Sequence, residues 1–123
     1  MGRKIFGLLF VFLFSVSLYA IEGTYSVSGF DPYEKKPYTG TVEITKGQNG
    51  IYQAHWTLNL DPPEYTGTGL MHKDQISFVY QSSAPREGGE VGLQVYTIKK
   101  GKLEGNFVYY NGTMVGTETL TKR

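Results

Sequence analysis

The side chains able to do covalent or metal chemistry are few. The chain has two histidines, 11 Asp plus Glu and no Cys. A nucleophile would therefore have to be Ser or Thr activated by His55 or His72. His55 shares one face of an alternating run with Gln53, Thr57 and Asn59, the pattern of a solvated strand position. His72 and Asp74 flank a turn, and two ligands without a third do not make a metal centre. No catalytic, cofactor-binding or metal-ligating set is expected. Glu118 stands apart, because Gly116 and Leu120 on the same face are apolar. A carboxylate there needs hydrogen bonds, a basic partner or water. It either orients a polar group of a ligand or, the favoured reading, anchors a tyrosine or loop at a barrel mouth.

The other candidate constellation is aromatic. Tyr25, Tyr38, Tyr52, Trp56, Tyr65, Tyr80, Phe107 and Tyr109 all fall on the apolar phase of alternating runs. Such rings can line a ligand pocket or simply fill a core. Eight rings plus aliphatics in a small barrel favour filling. A filled barrel would bind through its loops. Phe30, Tyr33, Lys35 and Lys36 in the 30–37 segment and Arg86 in the 82–90 segment are the loop candidates.

Positioning these residues requires strands, since period-two alternation recurs through the chain and helical spacing does not. Eight runs are expected: 23–29, 38–46, 50–60, 64–72, 74–81, 91–99, 102–110 and 113–121. Asp61-Pro62-Pro63 closes the third, because proline has no N–H for a ladder. Asn111-Gly112 is the clearest tight-hairpin signal. The sixth run is ambiguous in phase, with Leu93 and Val95 competing against Tyr96 and Ile98, so a bulge is allowed there. Tyr38-Thr39-Gly40-Thr41 recurs as Tyr65-Thr66-Gly67-Thr68, a shared strand solution. The expected fold is all-β, a single small antiparallel up-and-down barrel of about eight strands. Inward glycines at 29, 40, 67, 69, 105 and 116 alternate with the aromatics that need space beside a close backbone.

Composition bounds the function. Residues 1–20 carry a basic start at Arg3 and Lys4, an apolar stretch and a small residue at Ala20, the pattern of a cleaved secretory signal. The barrel domain is then 21–123. Removing Arg3 and Lys4 from the 12 basic residues leaves 10 against 11 acidic ones. That near balance argues against nucleic-acid binding and against a polybasic membrane patch. An exported domain without Cys suits a bacterial periplasm or exterior. No stable membrane span is expected after cleavage.

The order Gly23-x-Tyr25-x-Val27-x-Gly29, Tyr38-x-Gly40-x-Val42-x-Ile44, Tyr52 with Trp56, Tyr65-x-Gly67-x-Gly69, Leu103-x-Gly105-x-Phe107 and Gly116-x-Glu118-x-Leu120 resembles a family of small exported bacterial β-proteins often labelled fibronectin-binding. It departs at Phe107, where that family often carries Trp. The architecture is also similar to the calycins, avidins and lipocalins among them, although the lipocalin Gly-x-Trp signature is absent. The resemblance implies a compact exported barrel and a matrix protein as partner, and it brings no catalytic residues. The leading expectation is thus a non-enzymatic binding protein for an extracellular or envelope macromolecule. The alternative is a carrier or sensor of a small apolar or aromatic ligand in the lumen. An inhibitor or envelope-stress accessory role ranks third.

Overall fold

The computed structural model describes residues 20–83 and 90–123. Residues 1–19 of the expected signal segment, and residues 84–89 with Arg86 among them, lie outside the described residues. Eight strands follow in order: β1 (Gly23–Asp31), β2 (Lys36–Lys46), β3 (Ile51–Leu58), β4 (Glu64–His72), β5 (Gln75–Ser82), β6 (Val91–Lys99), β7 (Lys102–Tyr109) and β8 (Gly116–Lys122). Each pairs antiparallel with its sequence neighbours, and β1 also pairs with β8, which closes the barrel. Closure satisfies every strand edge, so the meander needs no covering partner. Among the described residues no helix is long and apolar enough to cross a membrane.

The alternation read from the sequence produces the two faces. In β3, Tyr52, Ala54, Trp56 and Leu58 are buried while Gln53, His55 and Thr57 are exposed. The interior is one apolar cluster from Ile21 to Leu120. Turns fall where the chain tolerates positive φ: Asn49 and Gly50 between β2 and β3, Lys73 between β4 and β5, and Gly101 between β6 and β7. These turns, the start of β1 and the end of β8 define one end of the barrel; the connections 32–35, 59–63 and 110–115, with the end of β5 and the start of β6, define the other, here called the mouth.

One open point is settled and two expectations are corrected. The sixth strand takes the Tyr96 phase: Gly92, Gln94 and Tyr96 are buried while Leu93 is exposed, and its ladders to β5 and β7 run without a bulge. The expected tight Asn111-Gly112 hairpin is a longer connection, with β8 starting at Gly116. Asn111 does adopt positive φ, but Thr113 and Met114 then donate their backbone N–H groups to the Tyr33 hydroxyl, at 3.2 and 3.4 Å, which holds the loop open. Phe30 and Lys36, read as loop residues, belong to β1 and β2 and the turn between them is shorter.

One close approach shows why small residues alternate with rings. A Cβ on Gly29 would lie 2.2 Å from the Tyr38 ring, opposite it in the β1–β2 ladder. Only glycine lets that ring lie across β1 toward β8.

Candidate functional site

The site is built around Glu118, which β8 directs inward between Gly116 and Leu120. Its side chain is buried, at 4% exposure. Three donors from three other strands converge on it. Tyr38 of β2 donates its hydroxyl to Oε1 at 2.5 Å, and Tyr96 of β6 donates to Oε2. The Trp56 indole N–H of β3 is shared, 3.1 Å from Glu118 Oε2 and 3.2 Å from the Tyr96 hydroxyl. No basic side chain is among these hydrogen-bond partners. Burial pushes the Glu118 carboxyl above its ordinary value, and the three donors pull it back only in part. Burial and the adjoining carboxylate also push the Tyr38 and Tyr96 hydroxyls well above the usual phenol range.

Above this cluster lies a cavity of about 30 Å³, open toward the mouth and walled by Tyr38, Trp56, Leu58, Leu60, Tyr65, Tyr80, Gln94, Phe107, Tyr109 and Glu118. The rings meet edge to face. Trp56 packs on Tyr80 at 6.2 Å, Tyr80 on Tyr65 at 6.0 Å and on Tyr109 at 6.5 Å, and Phe107 on Tyr109 at 5.9 Å. Such tilted pairs are the favoured arrangement of ring quadrupoles. At the mouth the Tyr65 hydroxyl donates to Glu90 Oε2. Asp31 is buried there too, and its Oδ1 accepts the Tyr33 N–H at 2.9 Å. Tyr80 differs from its neighbours: its ring is buried and its hydroxyl has no hydrogen-bond partner.

Of the residues proposed from sequence, Tyr38, Trp56, Tyr65, Phe107 and Glu118 are brought together around this cavity. Tyr25 and Tyr52 are buried elsewhere. Tyr25 gives its hydroxyl to the Ile21 carbonyl at 2.7 Å, and Tyr52 lies under the Lys46 ammonium. The loop candidates Phe30, Tyr33, Lys35 and Lys36 are exposed near the mouth; Tyr33 packs on Tyr109 at 5.1 Å and Lys36 pairs with Glu34 at 3.0 Å. Tyr96 and Gln94 are contributors that the sequence did not single out, for want of a settled phase in β6. Gln94 spans to the Asn106 carbonyl at 3.0 Å.

A wider hollow of about 340 Å³ lies at the opposite end, beside Ala20, Lys99, Lys100, Lys102 and Lys122. Tyr25 within it gives its hydroxyl to Ile21, so among the described residues lining it no buried polar group is left to orient a ligand. Among the described residues no group of three or more His, Asp or Glu side chains could hold a metal ion. His55 is an exposed partner of Glu64 at 2.9 Å.

No protein-family model matches the chain, and no curated protein matches it. Solved structures do. A redesigned β-barrel, b11L5F_LGL, is 13% identical with a TM-score of 0.67, over 84% of this chain and 91% of that one. The redesigned barrel mFAP1, bound to DFHBI, is 16% identical with a TM-score of 0.68, over 83% and 94%. A fluorescence-activating β-barrel designed de novo is 18% identical with a TM-score of 0.61, over 85% and 94%. At these identities the likeness is one of fold alone, an eight-stranded β-barrel.

Proposed function

We propose that this chain is a non-catalytic binding protein that takes a small aromatic or apolar ligand at the mouth of its barrel. One observation carries the reading: an aromatic-walled, solvent-open cavity ends on a buried carboxylate already oriented by Tyr38, Tyr96 and Trp56. Apolar walls supply affinity and a few fixed polar groups supply orientation, the usual division in ligand sites. That similar barrels bind DFHBI supports the reading and makes DFHBI a natural first probe. The cavity's volume sets the pose. One water needs at least about 10–15 Å³ and a cavity that admits benzene about 150 Å³. A polar head therefore enters the roughly 30 Å³ space, while the ligand's ring lies above it against Tyr65, Leu60 and Tyr109.

Trp56 is the chain's only tryptophan, so its emission reports on this site. Titration with DFHBI and with benzyl alcohol is expected to quench Trp56 saturably and to shift the NMR signals of Tyr38, Tyr65 and Tyr109. The absence of both responses at millimolar concentration overturns the proposal.

Recognition of a macromolecule by the rim is a second reading, favoured by Tyr110 and Val115, 77% and 61% exposed beside the mouth. Immobilised fibronectin tests the partner that the family resemblance implies; no saturable binding at micromolar concentration removes it. Export rests on the pattern of residues 1–20. Recovery from the periplasm of a bacterial host with Ile21 as the first residue is the expected outcome.

A further inference from the structure

Resting on the ligand-binding reading above, the geometry points to a protonated amine as the head group that enters the cavity, held between Glu118 Oε1 and the unpartnered Tyr80 hydroxyl. The argument begins with what lines the space. Glu118, Tyr38, Tyr80, Trp56, Phe107 and Tyr109 contribute a carboxylate and ring faces, and no Lys or Arg is in the lining. A buried carboxylate is ordinarily matched by a cation, because neutral donors alone offset its desolvation incompletely. Here no side-chain cation lines the space, so Glu118 relies on neutral donors. Oε2 accepts from both Tyr96 and Trp56, while Oε1 accepts only from Tyr38, which leaves Oε1 acceptor capacity.

The Tyr80 hydroxyl is the independent observation. Tyr80 is only 7% exposed and lines the same cavity with its ring, and its hydroxyl, set against Gly92 of β6, has no hydrogen-bond partner among the described residues. A buried hydroxyl without a partner is costly, and an N–H donor entering the cavity would satisfy its oxygen. An ammonium is about the size of a water, so the volume admits it where a ring would not fit. Ring faces around the head add cation–π attraction. Two further carboxylates, Asp31 and Glu90, stand at the mouth, whereas Glu34 in the β1–β2 turn is paired with Lys36 at 3.0 Å and Lys35 is exposed beside it. The structure thus assigns the ligand class as an arylalkylamine, with the ammonium innermost and the ring at the rim.

A charge series on one skeleton tests this: 2-phenylethylamine, 2-phenylethanol and 3-phenylpropanoate, each titrated against the full-length mature protein by Trp56 emission and by calorimetry. The amine is expected to bind about tenfold or more tighter than the alcohol, the difference that a charge-assisted hydrogen bond makes, and the carboxylate weakest. In Glu118→Gln, and to a lesser extent in Tyr80→Phe, the amine's advantage over the alcohol should collapse toward unity while binding of the alcohol persists. Equal binding of all three, or preference for the alcohol or the acid, overturns the amine assignment and leaves the ligand-binding reading standing. No binding of any of the three at millimolar concentration overturns both.

Discussion

Replacing Glu118 with Leu and with Gln separates shape, hydrogen bonding and charge at the centre of the barrel. Glu118→Leu keeps the side chain's approximate size but makes it apolar, leaving the Tyr38, Tyr96 and Trp56 donors without an acceptor. Each buried donor left without an acceptor costs about 1–3 kcal/mol. Three at the low end give roughly 3 kcal/mol, and at about 4–8 °C per kcal/mol for a domain of this size the melting temperature should fall by ~12 °C or more. Glu118→Gln behaves differently. Its amide oxygen in place of Oε2 still accepts from Trp56 and Tyr96, and its NH₂ in place of Oε1 donates to the Tyr38 oxygen. The displaced Tyr38 proton can turn to the cavity that the ring lines, which has room for water. The variant also sheds the desolvation of a carboxylate, so its stability at neutral pH should stay within about 1 kcal/mol of the parent.

The sign with pH follows from the raised Glu118 carboxyl. A group bound more tightly to its proton in the folded state adds stability that is complete below the unfolded value, near 4.5, and is lost as pH rises through the folded value. The melting temperature of Glu118→Gln relative to the parent should therefore climb as pH is raised from 4 upward. Thermal melts by circular dichroism across that range measure it. A Gln variant that falls as far as the Leu variant, or a difference that does not change with pH, refutes the account of Glu118 as a buried carboxylate held by neutral donors.

Removing the orphan hydroxyl with Tyr80→Phe should raise stability by about 1 kcal/mol, since an unsatisfied buried group disappears and the ring packing remains; a urea melt in which it destabilises would contradict the missing partner. Gly105→Ala would bring its Cβ to 1.8 Å from the Val95 carbonyl oxygen in the β6–β7 ladder. Rigid backbone cannot yield, and the loss should reach the upper part of the ~1–3 kcal/mol range for overpacking, whereas Gly47→Ala, 3.4 Å from its nearest neighbour, should change stability by less than about 0.5 kcal/mol. Tyr25, Tyr38, Tyr65, Tyr80, Tyr96 and Tyr109 are all held above the ordinary phenol value, chiefly by burial. Their contribution is present below pH 10 and lost above it, so for the five that are buried, all but Tyr109, phenolate absorbance in an alkaline titration should appear only together with loss of the barrel's circular dichroism; phenolate formation by those five in the intact fold would show that they are not sealed.

The barrel was legible in the sequence because β2 to β5 alternate without conflict, so each residue's face follows from its parity. The sixth strand was not, since Leu93 and Val95 are as apolar as Tyr96 and Ile98. Neighbours decide it: Gly92 lies directly against the Tyr80 hydroxyl, 2.3 Å from where a Cβ would sit, and β6 has no other residue small enough for that place. Reversing the phase would put Val91 or Leu93 against that ring. With the phase unsettled, Tyr96 and Gln94 could not be assigned to the site. Glu118 was legible as inward but not as fully sealed, because its partners come from β2, β3 and β6, and only the stagger of a closed barrel sets which residues of distant strands share a level. The hairpin at Asn111 failed for a related reason. Its local turn preference is met, and a hydroxyl some 80 residues away in sequence fixes the rest of the loop.

The repeated Tyr-Thr-Gly-Thr segment explains how one end of a filled barrel stays receptive. In both copies the tyrosine points inward near the mouth and gives its hydroxyl to a glutamate, Tyr38 to Glu118 and Tyr65 to Glu90. In both, the glycine two residues on admits the neighbouring strand closely: Leu58 against Gly40, Trp56 against Gly67. The first copy works at depth and the second at the rim, so two carboxylates lie at successive levels along one aromatic wall. At the other end Ile21, Ile44, Ile76 and Leu103 are each at most 2% exposed, with Tyr25 tied back to Ile21. Apolar side chains there need no partner of defined chemistry, even where they border the wider hollow. Polar groups at the mouth cannot be filled in the same way, since each requires a partner of defined chemistry. Tyr80 lacks one, and it stands between the two glutamates' tyrosines, in edge-to-face contact with Tyr65 and beside Trp56. The unsatisfied hydroxyl therefore marks where packing gives way to recognition, and its removal should exchange binding selectivity for stability, two quantities that a purely structural tyrosine would not move in opposite directions.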